Sequence, residues 1–154
     1  AENDELCVIR YPRGCENNNF DGEISGDYTG ILNGNKKAIV TYGRIFGESY
    51  KAYKKLKSEG INVKIIKLNV VVPIPEESIN AIRNAKKVFM FEEGVKSGGV
   101  GESFASVMLE NKLDPEFYLT AFPDCFVKQG KTESIFKQYK LDCDGMVSTV
   151  KENL

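Results

Sequence analysis

The chain has 154 residues, with 21 Lys+Arg against 22 Asp+Glu for a net charge of −1, and 42% of it is apolar. A chain of this length buries roughly 70% of its unfolded surface in one core. It has no basic excess with which to release counterions from nucleic acid and no apolar run near the roughly 20 residues of a membrane span. Histidine is absent, which removes the commonest general base, the commonest metal ligand and every His-dependent triad.

The chain opens on Ala1-Glu2-Asn3-Asp4-Glu5 with no basic region or apolar h-region, so it reads as a piece of a longer polypeptide rather than a signal peptide. Cys7 to Tyr11 is a short β-prone run ended by Pro12 and Gly14. Glu16 to Gly26 is polar, rich in Asn and Gly and without periodicity, and reads as a linker. Asp27–Leu32 and Lys36–Tyr42, separated by Asn33-Gly34-Asn35, read as a hairpin, because Asn-Gly supplies the positive φ values of a tight turn.

From Arg44 to Glu59, Ile45, Ser49, Ala52, Tyr53 and Leu56 fall at helical spacing, with Gly60 as the residue that ends the helix. Val63–Val72 is β-branched and closed by Pro73. Pro75-Glu76-Glu77 opens a helix with Pro early and acids at the positive end of the dipole, and Ile79 and Ile82 mark its inner face. Lys87–Phe91 is an almost fully apolar strand, as expected at the centre of a parallel sheet. Gly98-Gly99-Val100-Gly101 leads into a helix with Phe104, Val107 and Met108 inside. Phe117–Phe122 is a further strand. Two short helices follow, one around Ile135 and Phe136, the other carrying Met146, Val147, Val150 and Leu154. The alternation predicts an α/β three-layer sandwich, with a mostly parallel five-stranded sheet and one antiparallel edge strand contributed by the hairpin. The predicted organisation is residues 1–24 as the tail of a preceding domain plus linker, and 25–154 as one α/β domain.

Cys7, Cys15, Cys125 and Cys143 form no CxxC pair and have no His beside them, so the expectation is reduced thiols packed as small apolar residues. Gly98 to Gly101 places bare amides at a helix N-terminus, where an anion can bind, but it is neither GxGxxG nor a Walker loop. The expected role is a tight turn and close helix–sheet packing. Glu92 and Glu93 lie at the carboxyl end of the apolar strand, the edge at which ligands of open α/β sheets gather. As neighbours in an extended chain they face opposite ways and cannot act as an acid/base pair; the expectation is a structural role, one of them hydrogen-bonded to the glycine loop. Arg10-Tyr11-Pro12-Arg13-Gly14 offers two guanidinium groups suited to a phosphate or carboxylate.

The string Ile9-Arg10-Tyr11-Pro12-Arg13-Gly14, followed by a linker and a glycine-containing α/β domain, resembles the end of the 1-deoxy-D-xylulose-5-phosphate synthases, a family of transketolase-like thiamine diphosphate enzymes. Tyr42-Gly43, Pro73, Glu92-Glu93, Gly98-Gly99 with Gly101, Pro123-Asp124, Gln129-Gly130 and Leu141-Asp142 resemble the same family in the same order. These later motifs are shared with transketolases and with β subunits of 2-oxoacid dehydrogenases, so a docking or assembly domain of that second kind is the alternative reading.

The resemblance implies an enzyme that condenses pyruvate with D-glyceraldehyde 3-phosphate to 1-deoxy-D-xylulose 5-phosphate and CO2, using thiamine diphosphate and Mg²⁺. It implies that residues 1–24 are the tail of the pyrimidine-binding domain and 25–154 a transketolase C-terminal-like domain. Arg13 would hold the substrate phosphate, with Arg10 a second candidate. Catalytic, cofactor and metal-binding residues would lie upstream, leaving this piece inactive alone. It would support the active site and a homodimer in the cytoplasm, with no nucleic acid or membrane partner. The family commonly has Lys-Pro-Leu-Asp where this chain has Val72-Pro73-Ile74-Pro75, and many members have His where this chain has Gln129. No role of those residues carries over.

Overall fold

The computed structural model describes residues 6–11, 20, 26–32 and 36–154. Five strands form one sheet in the order β1-β3-β2-β4-β5. They are β1 (Tyr28–Ile31), β2 (Lys37–Tyr42), β3 (Lys64–Leu68), β4 (Lys87–Val95) and β5 (Glu116–Phe122). β2 pairs in parallel with β3 and β4, β4 with β5, and only β1 runs antiparallel, against β3. This is the expected mixed α/β sheet with an antiparallel edge.

Strand periodicity divides the core. Ile39, Ile65, Phe89 and Phe91 point to one face, where α1 (Phe46–Ser58) and α5 (Cys143–Glu152) cover them. Their neighbours Val40, Ile66, Val88 and Met90 point to the other, among residues of α2 (Glu76–Ile82) and α3 (Val100–Glu110). Phe136 of α4 (Thr132–Gln138) joins the first cluster. Burial on both faces is what the apolar run in β4 requires.

The predicted hairpin is not formed. β1 lies beside β3, with Tyr28 opposite Leu68 and Ile31 opposite Ile65. Both edges of β2 are taken by parallel partners, so β1 cannot pair with β2 and lies on the outer edge of β3 instead. β1 and β2 are thus separated by β3, about 10 Å apart at the usual strand spacing. The Asn33-Gly34-Asn35 turn itself lies outside the described residues.

Other limits also move. The predicted strand at 63–72 is confined to Lys64–Leu68; beyond it, the amides of Asn69 and Val70 both donate to the Asp27 carbonyl. The helix predicted from Arg44 begins as one 3-10 turn, Gly43–Ile45, before α1. Gly60 ends that region at φ +78°, as its place after the helix predicts. β4 runs on through Glu92 and Glu93 to Val95, with an irregularity between Phe91 and Val95. Leu154 lies beyond the end of α5 rather than in it, and is 55% exposed. Cys7 and Cys125 are exposed rather than packed, Cys143 is half-buried, and all three are free; Cys15 lies outside the described residues. The run 6–11 has no strand partner among the described residues, and every residue in it is exposed. The linker and the domain boundary fall largely outside the described residues.

Candidate functional site

In an open parallel sheet, ligands gather beyond the carboxyl ends of the strands, where successive crossovers diverge. Here β2 leads through α1 to β3 on one side, and β3 leads through α2 to β4 on the other. The divergence lies between β2 and β4. Thr41 is level with Phe91 in that pair, so the next residues, Tyr42 and Glu92, stand together at its carboxyl end.

Glu92 is buried at 1% exposure. One carboxylate oxygen accepts from the Tyr42 hydroxyl at 2.8 Å and from the Val100 amide at 2.8 Å. The other accepts from the Gly101 amide at 2.9 Å. The glycine loop and first turn of α3 thus close round a side chain of the same protein. The arrangement has the chemistry of an anion site at a helix N-terminus, with orphan N–H groups aimed at negative charge, and its anion is Glu92. The glycines are required by this fit. A Cβ at Gly99 would lie 2.7 Å from both carboxylate oxygens. A Cβ at Gly101 would meet Leu119 of β5 at 2.4 Å and Glu92 at 3.0 Å. The expectation of a structural glycine turn with one glutamate bonded to it holds.

Burial, and then the bond to Glu92, push the Tyr42 phenol well above its ordinary pKa; the positive charge of Arg10 pulls the other way. Arg10 is itself exposed. Arg13 lies outside the described residues, so its geometry adds nothing to the expectation stated for it.

Glu93 faces the opposite side, as strand alternation predicts. Arg44, from the turn before α1, grips it with Nε donating to Oε2 at 2.7 Å and Nη2 donating to Oε1. The same guanidinium lies 5.6 Å from the centre of the Phe136 ring. The bond to Glu93 is the main cause that holds the Arg44 pKa above its ordinary value. This pair was missed from sequence: 49 positions separate the two residues, and no local pattern marks them as partners. Beside them lies a cleft of about 360 Å³ lined by Arg44, Glu48, Glu133, Phe136, Lys137 and Asp142, among others. Several of its polar groups are already engaged within the fold: Glu48 accepts from Lys51 and from the Cys143 amide, and Asp142 caps α5 through the Gly145 amide.

Neither part of this sheet edge fits a diphosphate–metal group. The amides of the cradle are spent on Glu92, and among the described residues no group of three or more His, Cys, Asp or Glu could hold a metal ion. Among those residues no helix is long and apolar enough to cross a membrane.

Comparison with known proteins agrees with this architecture. The chain is 33% identical over 155 aligned positions to the 1-deoxy-D-xylulose-5-phosphate synthase of Caldanaerobacter subterraneus subsp. tengcongensis, covering 93% of this chain and 24% of that protein. It is 30% identical over 153 positions to the synthase of Clostridium perfringens (strain ATCC 13124), covering 96% of this chain and 25% of that protein. The chain thus spans about a quarter of the length of these curated relatives. Among solved structures, a split gene transketolase described as an inactive β4 tetramer superposes with a TM-score of 0.70 at 23% identity, over 80% of this chain and 41% of that one. Residues 30–146 match the model of the transketolase C-terminal domain, and with the sheet order, the two-faced core and the sealed switch point described above, the chain belongs to that family.

Proposed function

We propose that the chain is the C-terminal portion of a thiamine-diphosphate-dependent synthase that condenses pyruvate with D-glyceraldehyde 3-phosphate, releasing CO2 and forming 1-deoxy-D-xylulose 5-phosphate. The observation that carries this reading is the alignment to such synthases along 93–96% of the chain. The sealed crevice between β2 and β4 supports a scaffolding role for residues 25–154. In this reading the cofactor and Mg²⁺ are held by segments outside this chain, and this part alone is inactive. It packs against the preceding domains and supports a homodimer in the cytoplasm.

Residues 1–24 are the tail of the pyrimidine-binding domain. Leu6, Val8, Ile9 and Tyr11 are 79–96% exposed, as strand residues are when the sheet they belong to is on another part of the protein. Arg13 holds the phosphate of the aldehyde, with Arg10 a second candidate. Hydrogen bonds to charged groups contribute about 1.5–3 kcal/mol, which is roughly 10- to 150-fold in an equilibrium. Arg13→Ala in the full-length enzyme should raise the KM for glyceraldehyde 3-phosphate by about that factor, with Arg13→Lys recovering part of it because the planar fork is lost. A non-phosphorylated aldehyde should be used nearly as before. Equal loss with both acceptors would assign Arg13 to folding instead, and absence of any turnover of pyruvate with either acceptor by the full-length protein would overturn the synthase reading.

A further inference from the structure

The sheet has two outer edges, and they are finished differently. β1, at one end, is four residues long and holds Gly30. β5, at the other, is seven residues long and reads E-F-Y-L-T-A-F, with no Gly, Pro or Lys inside it. Its backbone alternates in direction. The Glu116 amide donates to the Lys86 carbonyl, and the Phe122 carbonyl accepts from the Lys96 amide. The even positions therefore face β4, and the N–H and C=O of Phe117, Leu119 and Ala121 face outward, where the described residues offer them no partner. The side chains from Phe117 to Phe122 are half-buried throughout. Short length, charge, proline and bulges are the usual means that keep an edge strand from pairing with another chain. Of these β5 has only the charge of Glu116, at its first position.

Pro115 and Pro123 bracket the strand, each four residues from Leu119. A proline has no N–H to give to a ladder, so the pairing edge stops at both. We propose that this edge pairs with the same edge of a second copy of the chain, antiparallel about a two-fold axis at Leu119, so that two five-stranded sheets join into one. Centred there, Leu119 faces Leu119 and Phe117 faces Ala121, and every outward N–H meets an outward C=O. Centred on Tyr118, the ladder sets Ala121 opposite Pro115; centred on Thr120, it sets Phe117 opposite Pro123. Either shift leaves a carbonyl without a donor. Charge selects the same direction. In the antiparallel pair the two Glu116 side chains lie at opposite ends of the ladder, each across from Phe122 and about 20 Å apart; a parallel pair would set like charges side by side. Across the axis Phe117 and Leu119 continue one apolar cluster, and Tyr118 and Phe122 the other. The pairing is a property of β5 and does not depend on the reaction the protein serves.

Sedimentation velocity of the 154-residue chain under reducing conditions, joined to amide hydrogen exchange, tests this. A ladder of this length buries less than a standard interface, so the chain should be dimeric above roughly 100 μM and dissociate on dilution. In the dimer the amides of Phe117, Leu119 and Ala121 should be protected along with those of Tyr118, Thr120 and Phe122; on dilution only the first three should lose protection. Ala121→Pro removes an outward N–H that bonds nothing in the single chain. It should keep the parent's circular dichroism and weaken dimerisation roughly 5- to 150-fold, for one hydrogen bond lost from each copy. Thr120→Lys sets two ammonium groups diagonally across the axis, about 7–8 Å apart. It should weaken the dimer too, less so in high salt, and it decides the matter if Ala121→Pro fails to fold. A chain that stays monomeric at about 1 mM overturns the pairing. So does a dimer in which Phe117, Leu119 and Ala121 exchange as fast as in the monomer, or one that neither substitution weakens. Protection of those three amides in the monomer also overturns it, because a segment of the same chain then covers the edge.

Discussion

Residues 6–11 and β2 are built from the same kind of side chain and meet opposite fates. Val8 and Ile9 are 80% and 79% exposed, whereas Ile39 and Val40 are fully buried. The difference lies in neighbours. β2 has a parallel partner on each edge and helices over both faces. Among the described residues the N-terminal run has no strand partner at all. β-propensity states that a segment fits a pleated, half-buried surface; whether that surface is present is decided elsewhere in the protein.

The largest test of this contrast is a matched pair. Ile39→Ala should cost about 2–5 kcal/mol of unfolding free energy, the usual range for truncating a buried Ile. Ile9→Ala should change it by no more than about 0.5 kcal/mol. Urea titrations of the two variants check this, and a comparable loss in Ile9→Ala would mean that the arm is docked in solution.

Next in size is the seal at the end of β4. Glu92→Gln cannot accept from both loop amides and the Tyr42 hydroxyl as a carboxylate does. One buried partner is left unsatisfied or facing a donor, at a cost of about 1–3 kcal/mol. Glu93→Gln, at the wetter face, should cost less, about 0–1 kcal/mol. Thermal unfolding of both variants sharpens the comparison, because the two positions are adjacent in sequence and differ only in what each faces.

The smallest effect concerns pH. The Tyr42 phenol is held above its ordinary value, mainly by burial. A raised folded value favours the protonated form, so the stability it brings is complete below the unfolded phenol value of about 10 and is lost as pH rises through the folded value. The stability gap between the parent and Tyr42→Phe should be constant from pH 6 to 9 and narrow in stronger alkali. A gap that closes already near pH 7 would refute the assignment.

Much of the fold is legible because periodicity is local. The parallel strands and the five helices announce themselves through spacing, and Glu92-Glu93 followed by glycines was enough to expect a carboxylate tied to the loop. What was not legible is partnership at a distance. Asn33-Gly34 signals a turn but does not say which strand β1 will meet; that is settled by β3 and β4 claiming both edges of β2. Glu92 and Glu93 mark the end of the apolar run, but that β4 continues through them to Val95, with Tyr42, Arg44 and α3 as their partners, was not legible. Phe20, whose ring lies edge-on to Phe46 and Tyr50, passed unnoticed because a lone aromatic in a polar stretch carries no period. Leu154 fits the helical spacing of α5, but the helix ends before it.

The seal made by Glu92 has a consequence for selectivity. An acid tethered beside its binding groups is present there at an effective concentration far above that of free solutes, because its translational freedom is already lost. Inorganic phosphate, sulfate or a nucleotide would have to displace a competitor that cannot diffuse away. With the Val100 and Gly101 amides already donating to Glu92, the glycine turn is a poor target for free anions although it has the form of an anion site.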